Sequence, residues 1–267
     1  MTPSGFPFRT MLLRRTRQAD LERARRLLLS IADGLAAVLL APVCAACHEP
    51  LEQPTRGAVC AACWASIVPI TPPICRQCGD ALPSWRERSL EESLCARCRR
   101  APQRVSRACA IGAYDGSLRA IVHALKYDGR RTLARPLSLR LRAAAGDVLH
   151  DVDGVVPVPL HRSRERRRGF NQAREIARHL GPPVVDALQR VRRTASQADL
   201  PAARRHANVR GAFVCPSRVR VRGLTLVLVD DVSTTGATLN ACAWALLAAG
   251  AREVRALTAA RAVTRQR

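Results

Sequence analysis

The strongest constraint on the fold of this chain is a set of four C-x-x-C pairs within 55 residues. Two residues between cysteines allow a tight turn to aim both thiolates at one metal ion, and two such turns complete a tetrahedral site. Pairing neighbours along the chain gives C-x2-C-x12-C-x2-C and C-x2-C-x16-C-x2-C, which are close to zinc-ribbon spacing. The predicted metal ligands are Cys44, Cys47, Cys60, Cys63, Cys75, Cys78, Cys95 and Cys98.

A zinc site made of four thiolates has no open position for a catalytic water, so we expect structural zinc, in up to two sites. The sequence leaves open which pairs share a metal. His48, directly after Cys47, is an alternative ligand, although a loop histidine explains it as well. Cys109, Cys215 and Cys242 lie in apolar surroundings and are interpreted as core residues.

The composition limits the kinds of molecule that the protein is expected to bind. The 267 residues carry 44 Lys and Arg against 21 Asp and Glu, a formal net charge of +23. A field of this size attracts phosphates and nucleic acid, although arginines that merely cover solvated faces are the alternative. The stretch 27–43 is the closest to a membrane span, but it contains Asp33 and Gly34. We therefore expect no membrane span and, because the N-terminus lacks the pattern of a secretory signal, a cytoplasmic location.

After Cys98, strand-like and helix-like segments alternate, which predicts an α/β domain with a parallel sheet flanked by helices. We expect a mobile loop over 189–211, which is rich in arginine and poor in aromatic residues. Ser117 is a candidate cap for the first helix. The predicted strands are 108–114, 154–159, 224–231 and 253–260, and the predicted helices are 117–127, 133–146, 169–181 and 236–250.

The segment LVLVDDVSTTGAT (226–238) carries the clearest chemistry. Ligands of open α/β sheets collect at the carboxyl ends of strands, and the N-terminus of the next helix offers unpaired N–H groups to a phosphate. Asp230 and Asp231 would repel that phosphate, but they can accept hydrogen bonds from sugar hydroxyls one step away. The pattern predicts a ribose 5-phosphate site, with an ordinary capped turn as the alternative.

VLVDDVSTTGAT resembles the phosphoribosyl pyrophosphate (PRPP) signature of type I phosphoribosyltransferases. With the four cysteine pairs and the segments 123–130, 155–173 and 193–213, the chain from about 40 to 262 resembles the ComF family. The resemblance implies the type I phosphoribosyltransferase fold, preceded by a small cysteine-rich double zinc-ribbon module. The expected domains are an N-terminal helical segment (1–43), the zinc-ribbon module (44–100) and the phosphoribosyltransferase-like domain (105–262).

The resemblance also implies roles for individual residues. Asp230, Asp231, Arg192 and Arg205 are the catalytic candidates, with Gln197 and Asn208 in the same closing loop. Mg²⁺ would accompany PRPP. The PRPP-binding candidates are Asp230, Asp231, Ser233, Thr234, Thr235, Gly236, Ala237 and Thr238. The pyrophosphate-binding candidates are Lys126, Val158, Pro159, Arg162 and Arg168, with Arg164 and Arg167 in the same basic group.

Three functions are compatible with these residues. The first is a phosphoribosyltransferase with an unidentified acceptor, linked to DNA uptake and competence or to nucleotide salvage. The second is a protein that binds single-stranded DNA and the DNA-uptake machinery, which the basic charge favours. The third is a sensor that binds PRPP without turning it over. No segment marks a purine, pyrimidine or glutamine-derived ammonia site.

Overall fold

A computed structural model of the protein describes residues 8–82, 94–192 and 208–262, with side chains from 21 onward except that of Ala37. The chain divides into two compact units, Met1–Ala62 and Cys63–Arg267. The division into 1–43, 44–100 and 105–262 therefore stays a prediction. No helix in the described ranges is both long enough and apolar enough to cross a membrane.

The first unit contains the helix α1 (Phe8–Leu40) and a short 3₁₀ turn, Pro54–Arg56. The two are joined by the buried carboxylate of Asp33, whose Oδ1 accepts a hydrogen bond from the backbone N–H of Thr55 at 2.8 Å. A buried carboxylate needs such a donor, so Asp33, which interrupts the apolar stretch of α1, fixes this turn against the helix.

The second unit begins within the helix α2 (Ala61–Ala65) and continues with α3 (Ala96–Arg100) and the α/β body. The body is built on a four-stranded, entirely parallel sheet in the order β1-β6-β5-β2. Its strands are β1 (Ala108–Ala113), β2 (Gly154–Pro157), β5 (Thr225–Ser233) and β6 (Glu253–Arg261). A two-residue antiparallel pair, β3 (Gln189–Arg190) with β4 (Phe213–Val214), lies beside it.

Helices cover both faces of the sheet, as the alternation along each strand requires. Val156, Leu226 and Leu228 join a cluster with Leu239 and Leu246 of α8 (Ala237–Ala248) on one face. The intervening residues of these strands point to the other face, where α5 (Ala134–Ala145) and α7 (Gln172–Ala177) pack. α4 (Gly116–Tyr127) contacts β6, and α6 (Arg162–Arg168) precedes α7. The predicted fold class is confirmed.

Three local predictions need correction. The helix expected over 169–181 is shorter: Gly169 takes a left-handed conformation (φ 78°) that ends the preceding helix α6, and α7 covers only Gln172–Ala177. Asp115, not Ser117, caps α4, and the Ser117 hydroxyl bonds that of Ser66 at 2.7 Å. β5 continues through both aspartates to Ser233 instead of ending at Asp231.

The three cysteines outside the C-x-x-C pairs differ in exposure. Cys242 is fully buried in the cluster beneath α8, as expected of a core residue, whereas Cys109 and Cys215 are half-buried. Burial raises the pKa of all three thiols, most strongly that of Cys242. They are therefore protonated at neutral pH, unlike metal-ligating thiolates.

Candidate active site and metal centres

The eight paired cysteines gather into two groups, and the structure answers which pairs belong together. The sulfur atoms within each group lie within 4.8 Å of one another. Neighbouring pairs along the chain combine, which matches the zinc-ribbon spacing. The first group is Cys44, Cys47, Cys60 and Cys63, and the second is Cys75, Cys78, Cys95 and Cys98.

The surroundings of the thiols suit a metal ion. The backbone N–H groups of Ala46 and Cys60 each donate to Cys44 Sγ at 3.4 Å. Burial raises the pKa of this thiol, but these N–H groups and that of Cys47 outweigh it and lower the pKa to about 6. In the second group, hydrogen bonds from Cys78 and Cys98 lower the pKa of Cys75. Four thiolates at this spacing fit structural zinc and leave no place for His48.

A cleft of about 230 Å³ opens at the carboxyl ends of the central strands. Such edges are where open α/β sheets bind ligands. The cleft is lined by Tyr114, Lys126, Tyr127, Val158, Pro159, Leu160, Arg164, Arg168, Gln172, Arg190, Asp230, Asp231, Val232, Ser233, Thr234, Gly236, Ala237, Thr238 and Leu239.

Asp230 and Asp231 lie at the floor of the cleft with Lys126, the last basic residue of α4. Lys126 Nζ is 2.9 Å from Asp231 Oδ1, and their side chains are 16% and 6% exposed. Burial lowers the pKa of Lys126, but the carboxylates of Asp231 and Asp230 outweigh it and raise the pKa. Asp231 Oδ2 is buried and has no hydrogen-bond partner among the described residues, so this oxygen is available to a ligand.

Asp230 has a different environment from its neighbour. Its Oδ1 accepts a hydrogen bond from the Asp231 backbone N–H at 2.8 Å. Burial, followed by the adjacent Asp231 carboxylate, raises the pKa of Asp230 to about 8, although Lys126 acts in the opposite direction. A pKa raised this far keeps a proton on Asp230 over part of the neutral range, and perturbed carboxyls of this kind are common at functional sites.

The turn from β5 into α8 forms one wall of the cleft. Gly236 takes a left-handed conformation (φ 77°) and directly precedes α8, a helix of 12 residues. The Thr235 hydroxyl accepts a hydrogen bond from the Ala237 N–H at 3.4 Å. The N-terminus of α8 lines the cleft through Gly236, Ala237 and Thr238, and a helix N-terminus favours the binding of an anion.

The opposite wall is the segment after β2, and Asn171 fixes it. Asn171 Nδ2 donates to the Val158 carbonyl at 3.0 Å, while Asn171 Oδ1 accepts the Ala173 N–H at 2.9 Å and caps α7. Arg168 bonds Gln172 Oε1, and its guanidinium lies 5.3 Å from the centre of the Tyr127 ring. These two contacts hold the guanidinium of Arg168 towards the cleft.

Comparisons with known proteins agree with this architecture. Residues 35–99 match the double zinc ribbon domain, and residues 166–266 match the phosphoribosyl transferase domain. The DNA utilization protein YhgH of Salmonella typhimurium is 36% identical over 224 residues, which cover 79% of this chain and 93% of that protein. Competence protein F of Haemophilus influenzae is 30% identical over 230 residues, covering 82% of this chain and 96% of that protein.

This chain belongs to the ComF family. A more distant relative is competence protein ComFC of Bacillus subtilis, 28% identical over 209 residues, which cover 78% of this chain and 79% of that protein. The predicted resemblance is confirmed, and the body of this ComF protein carries a phosphoribosyltransferase domain.

The cleft brings together most of the predicted PRPP and pyrophosphate residues of this ComF chain. Among the described candidates, Thr235, Arg162, Arg167, Arg192 and Asn208 are not part of its lining. Arg192 donates to the carbonyls of Asn208 (3.1 Å) and Arg210 (2.6 Å) at the base of the β3–β4 pair. Arg205, like Gln197, lies outside the described residues. The roles of all the predicted site residues stay predictions.

The sequence reasoning did not select Arg190, Tyr114, Tyr127 or Gln172, which also line the cleft. Arg190 lies 5.2 Å from the Phe213 ring centre. Burial, followed by the charge of Arg164, lowers its pKa. The only sequence signal was its position near the start of the loop predicted over 189–211. The tyrosines could have been noted because they are the only two in the chain.

Proposed function

We propose that this ComF protein binds PRPP with Mg²⁺ in the cleft and transfers the phosphoribosyl group to an acceptor. The proposal rests chiefly on the Asp230–Asp231 pair, in which Asp231 Oδ2 is buried and has no hydrogen-bond partner among the described residues. The pair lies just before residues 234–236, the turn from β5 into α8, which we call the phosphate-binding turn. The match to the phosphoribosyl transferase domain supports it.

In the proposed complex each wall of the cleft binds one part of PRPP. The N–H groups and hydroxyls of Ser233–Thr238 hold the 5-phosphate at the N-terminus of α8. The ribose hydroxyls donate to Asp230 and Asp231. The segment 158–160, with Arg164 and Arg168, binds the pyrophosphate, for which arginine offers bidentate contacts. Lys126 holds Asp231 in place from below.

The donor set also fits Mg²⁺, which prefers carboxylate and phosphate oxygens and retains several waters. Asp231 Oδ2, buried and without a described partner, is the protein atom available to one of those waters or to a ribose hydroxyl. When bound, the ion would neutralise the charge that develops on the departing pyrophosphate. The protein residues orient the sugar so that its C1 faces the acceptor.

The acceptor would enter between the two walls, beside Arg190 and Leu160. Arg205 stays the candidate for shielding the reacting carbon from water, since the sugar intermediate is prone to hydrolysis. A sensor that binds PRPP without turning it over would need the same binding residues. Measuring the release of pyrophosphate in the presence of added acceptors distinguishes the two functions, because only a transferase releases it.

Calorimetric titration of the zinc-loaded protein with PRPP and Mg²⁺ tests the binding site. Saturable binding is expected in the wild type and none in Asp230→Asn with Asp231→Asn. A matched control is Asp147→Asn with Asp151→Asn, which makes the same charge change on side chains that are 84% exposed. Absence of binding in a folded, zinc-replete wild type would refute the proposal.

A second function, binding of single-stranded DNA, is favoured by the basic surface of α6. Arg162, Arg166 and Arg167 are exposed on this helix, and the whole chain carries a net charge of +23. Relatives are named for DNA utilization and competence. We propose that these arginines contact DNA phosphates in the cytoplasm, where the chain would meet the DNA-uptake machinery.

The salt dependence of DNA binding tests this second function. Each phosphate contact contributes about 0.7 to the slope of log K against log salt concentration for single strands. Replacing Arg162, Arg166 and Arg167 by glutamine should therefore reduce the slope by about 2. The control replaces Arg218, Arg220 and Arg222, which are equally exposed. Equal slopes in both triple variants would exclude α6 as the DNA contact, and no binding at low salt would remove the hypothesis.

A further inference from the structure

The second cysteine group is joined to the phosphate-binding turn by a row of charged side chains. Arg97 Nη2 donates to Cys78 Sγ at 3.4 Å, and the same nitrogen lies 3.5 Å from Asp80 Oδ2. Asp80, two residues after Cys78, is 9% exposed. Four thiolates with one Zn²⁺ keep a net negative charge, and Arg97 places a positive charge in contact with them.

Asp80 also pairs with the body of the domain. Its Oδ1 is 3.3 Å from Nε of Arg261, the last residue of β6, which is only 3% exposed. The two atoms form an ion pair without the geometry of a hydrogen bond, so the link between them is electrostatic. Arg261 Nη1 donates to the Ser233 hydroxyl at 3.4 Å, and Arg261 is opposite Ser233 in the sheet register. Ser233 is the last residue of β5 before the phosphate-binding turn. A buried guanidinium needs a carboxylate partner, and Asp80 supplies it from the zinc ribbon.

A separate contact reaches the same turn. Gln77, between the two cysteines of the Cys75–Cys78 pair, donates from Nε2 to the Gln103 carbonyl at 2.8 Å. The side-chain oxygen of Gln103 would be 3.7 Å from a Cβ placed on Gly236, the left-handed residue before α8. The second cysteine group therefore supports both ends of the turn, at Ser233 and at Gly236.

We propose that Asp80 and Arg261 are positioning residues through which the second zinc ribbon holds the phosphate-binding turn in its binding conformation. Metal binding at Cys75, Cys78, Cys95 and Cys98 fixes Asp80, Asp80 fixes Arg261, and Arg261 fixes Ser233. The affinity of the cleft for PRPP then depends on the metal in the ribbon, an inference that rests on the proposed function. By linkage, PRPP must also tighten the binding of that metal.

The test compares Asp80→Asn with Glu175→Gln, which makes the equivalent change in the Glu175–Arg178 ion pair on α7. Asp80→Asn should keep two zinc ions per chain, weaken PRPP binding by about tenfold, a typical coupling effect, and speed deuterium exchange over residues 233–238. Glu175→Gln should leave all three unchanged. Unchanged exchange over 233–238 in a zinc-replete Asp80→Asn protein would overturn the inference, even if the wild type did not bind PRPP.

A second measurement uses only the wild-type protein. It tests whether PRPP binding and metal binding in the second cysteine group affect each other, which a purely structural metal would not show. Zinc release from the wild type to a chromogenic chelator is followed with and without PRPP and Mg²⁺. PRPP should slow the release of one of the two zinc ions and leave the other unchanged. If PRPP binds but slows neither ion, or slows both equally, the link between the second ribbon and the turn is refuted.

Discussion

Replacing Asp230 by asparagine should make the folded protein more stable at neutral pH, although it removes a proposed ligand for ribose. Burial and the Asp231 carboxylate raise the pKa of Asp230 from 3.8 to about 8. A carboxyl whose pKa is higher in the folded than in the unfolded state lowers stability as pH rises between the two values. Asparagine carries no charge and keeps an oxygen that can accept the Asp231 N–H.

The size of this effect follows from the pKa values. Between 3.8 and pH 7 lie about three pH units, and each contributes about 1.4 kcal/mol to the free energy of unfolding. The upper limit at pH 7 is therefore about 4 kcal/mol. We expect the substitution to add about 2–4 kcal/mol to the free energy of unfolding.

Urea unfolding of zinc-loaded wild type and Asp230→Asn at pH 5, 6, 7 and 8 measures the difference. The stability advantage of the variant should grow with pH across this range. The folded wild type holds a proton on Asp230 that its unfolded chain has lost, whereas asparagine binds no proton in either state. Asp151→Asn, at an exposed position, serves as the control. An Asp230→Asn protein less stable than the wild type at pH 7, or an advantage independent of pH, would refute the reasoning.

Three further predictions concern binding, the cleft wall and packing. PRPP affinity should rise by up to about tenfold per pH unit as Asp230 loses its proton below about pH 8, and titrations in two buffers of different ionisation enthalpy should detect the released proton. Asn171→Ala should lower the free energy of unfolding by about 1–3 kcal/mol, from the lost cap and the unpaired Val158 carbonyl, and weaken pyrophosphate binding in the same titration. Gly112→Ala should cost about 1–3 kcal/mol in thermal unfolding, because the new Cβ would lie 2.4 Å from the Val68 carbonyl oxygen; an unchanged melting temperature would contradict this.

The sequence predicted the parts of the fold that local pattern determines. The apolar run 226–229 and the apolar helix that follows it were predicted as β5 and α8, within a few residues. The cysteine spacing predicted both metal groups because ligand geometry is fixed over two-residue turns. The length of α7 was predicted wrongly, because the amphipathic pattern over 169–181 does not show that the backbone turns at Gly169 and that Asn171 caps the helix.

The roles of side chains that contact residues far away in the sequence could not be predicted from the local sequence pattern. Lys126 was predicted to contact pyrophosphate, but whether it pairs with Asp231, more than 100 residues further on, depends on the packing of α4 beside β6. Arg190 enters the cleft because a two-residue strand pairs across a gap of more than 20 residues. Asp80 had no motif to mark it, since its partner Arg261 is near the opposite end of the chain.

The elevated pKa values of Cys109, Cys215 and Cys242 have a practical consequence. Thiol-specific reagents react with thiolates, so these three cysteines should not react at neutral pH in the folded protein. A bound metal ion blocks the sulfurs of each cysteine group, and small zinc modules lose their fold together with the metal, which exposes those sulfurs. A simple colorimetric thiol assay would thus report how much of a purified sample has lost its zinc, four reactive sulfurs at a time.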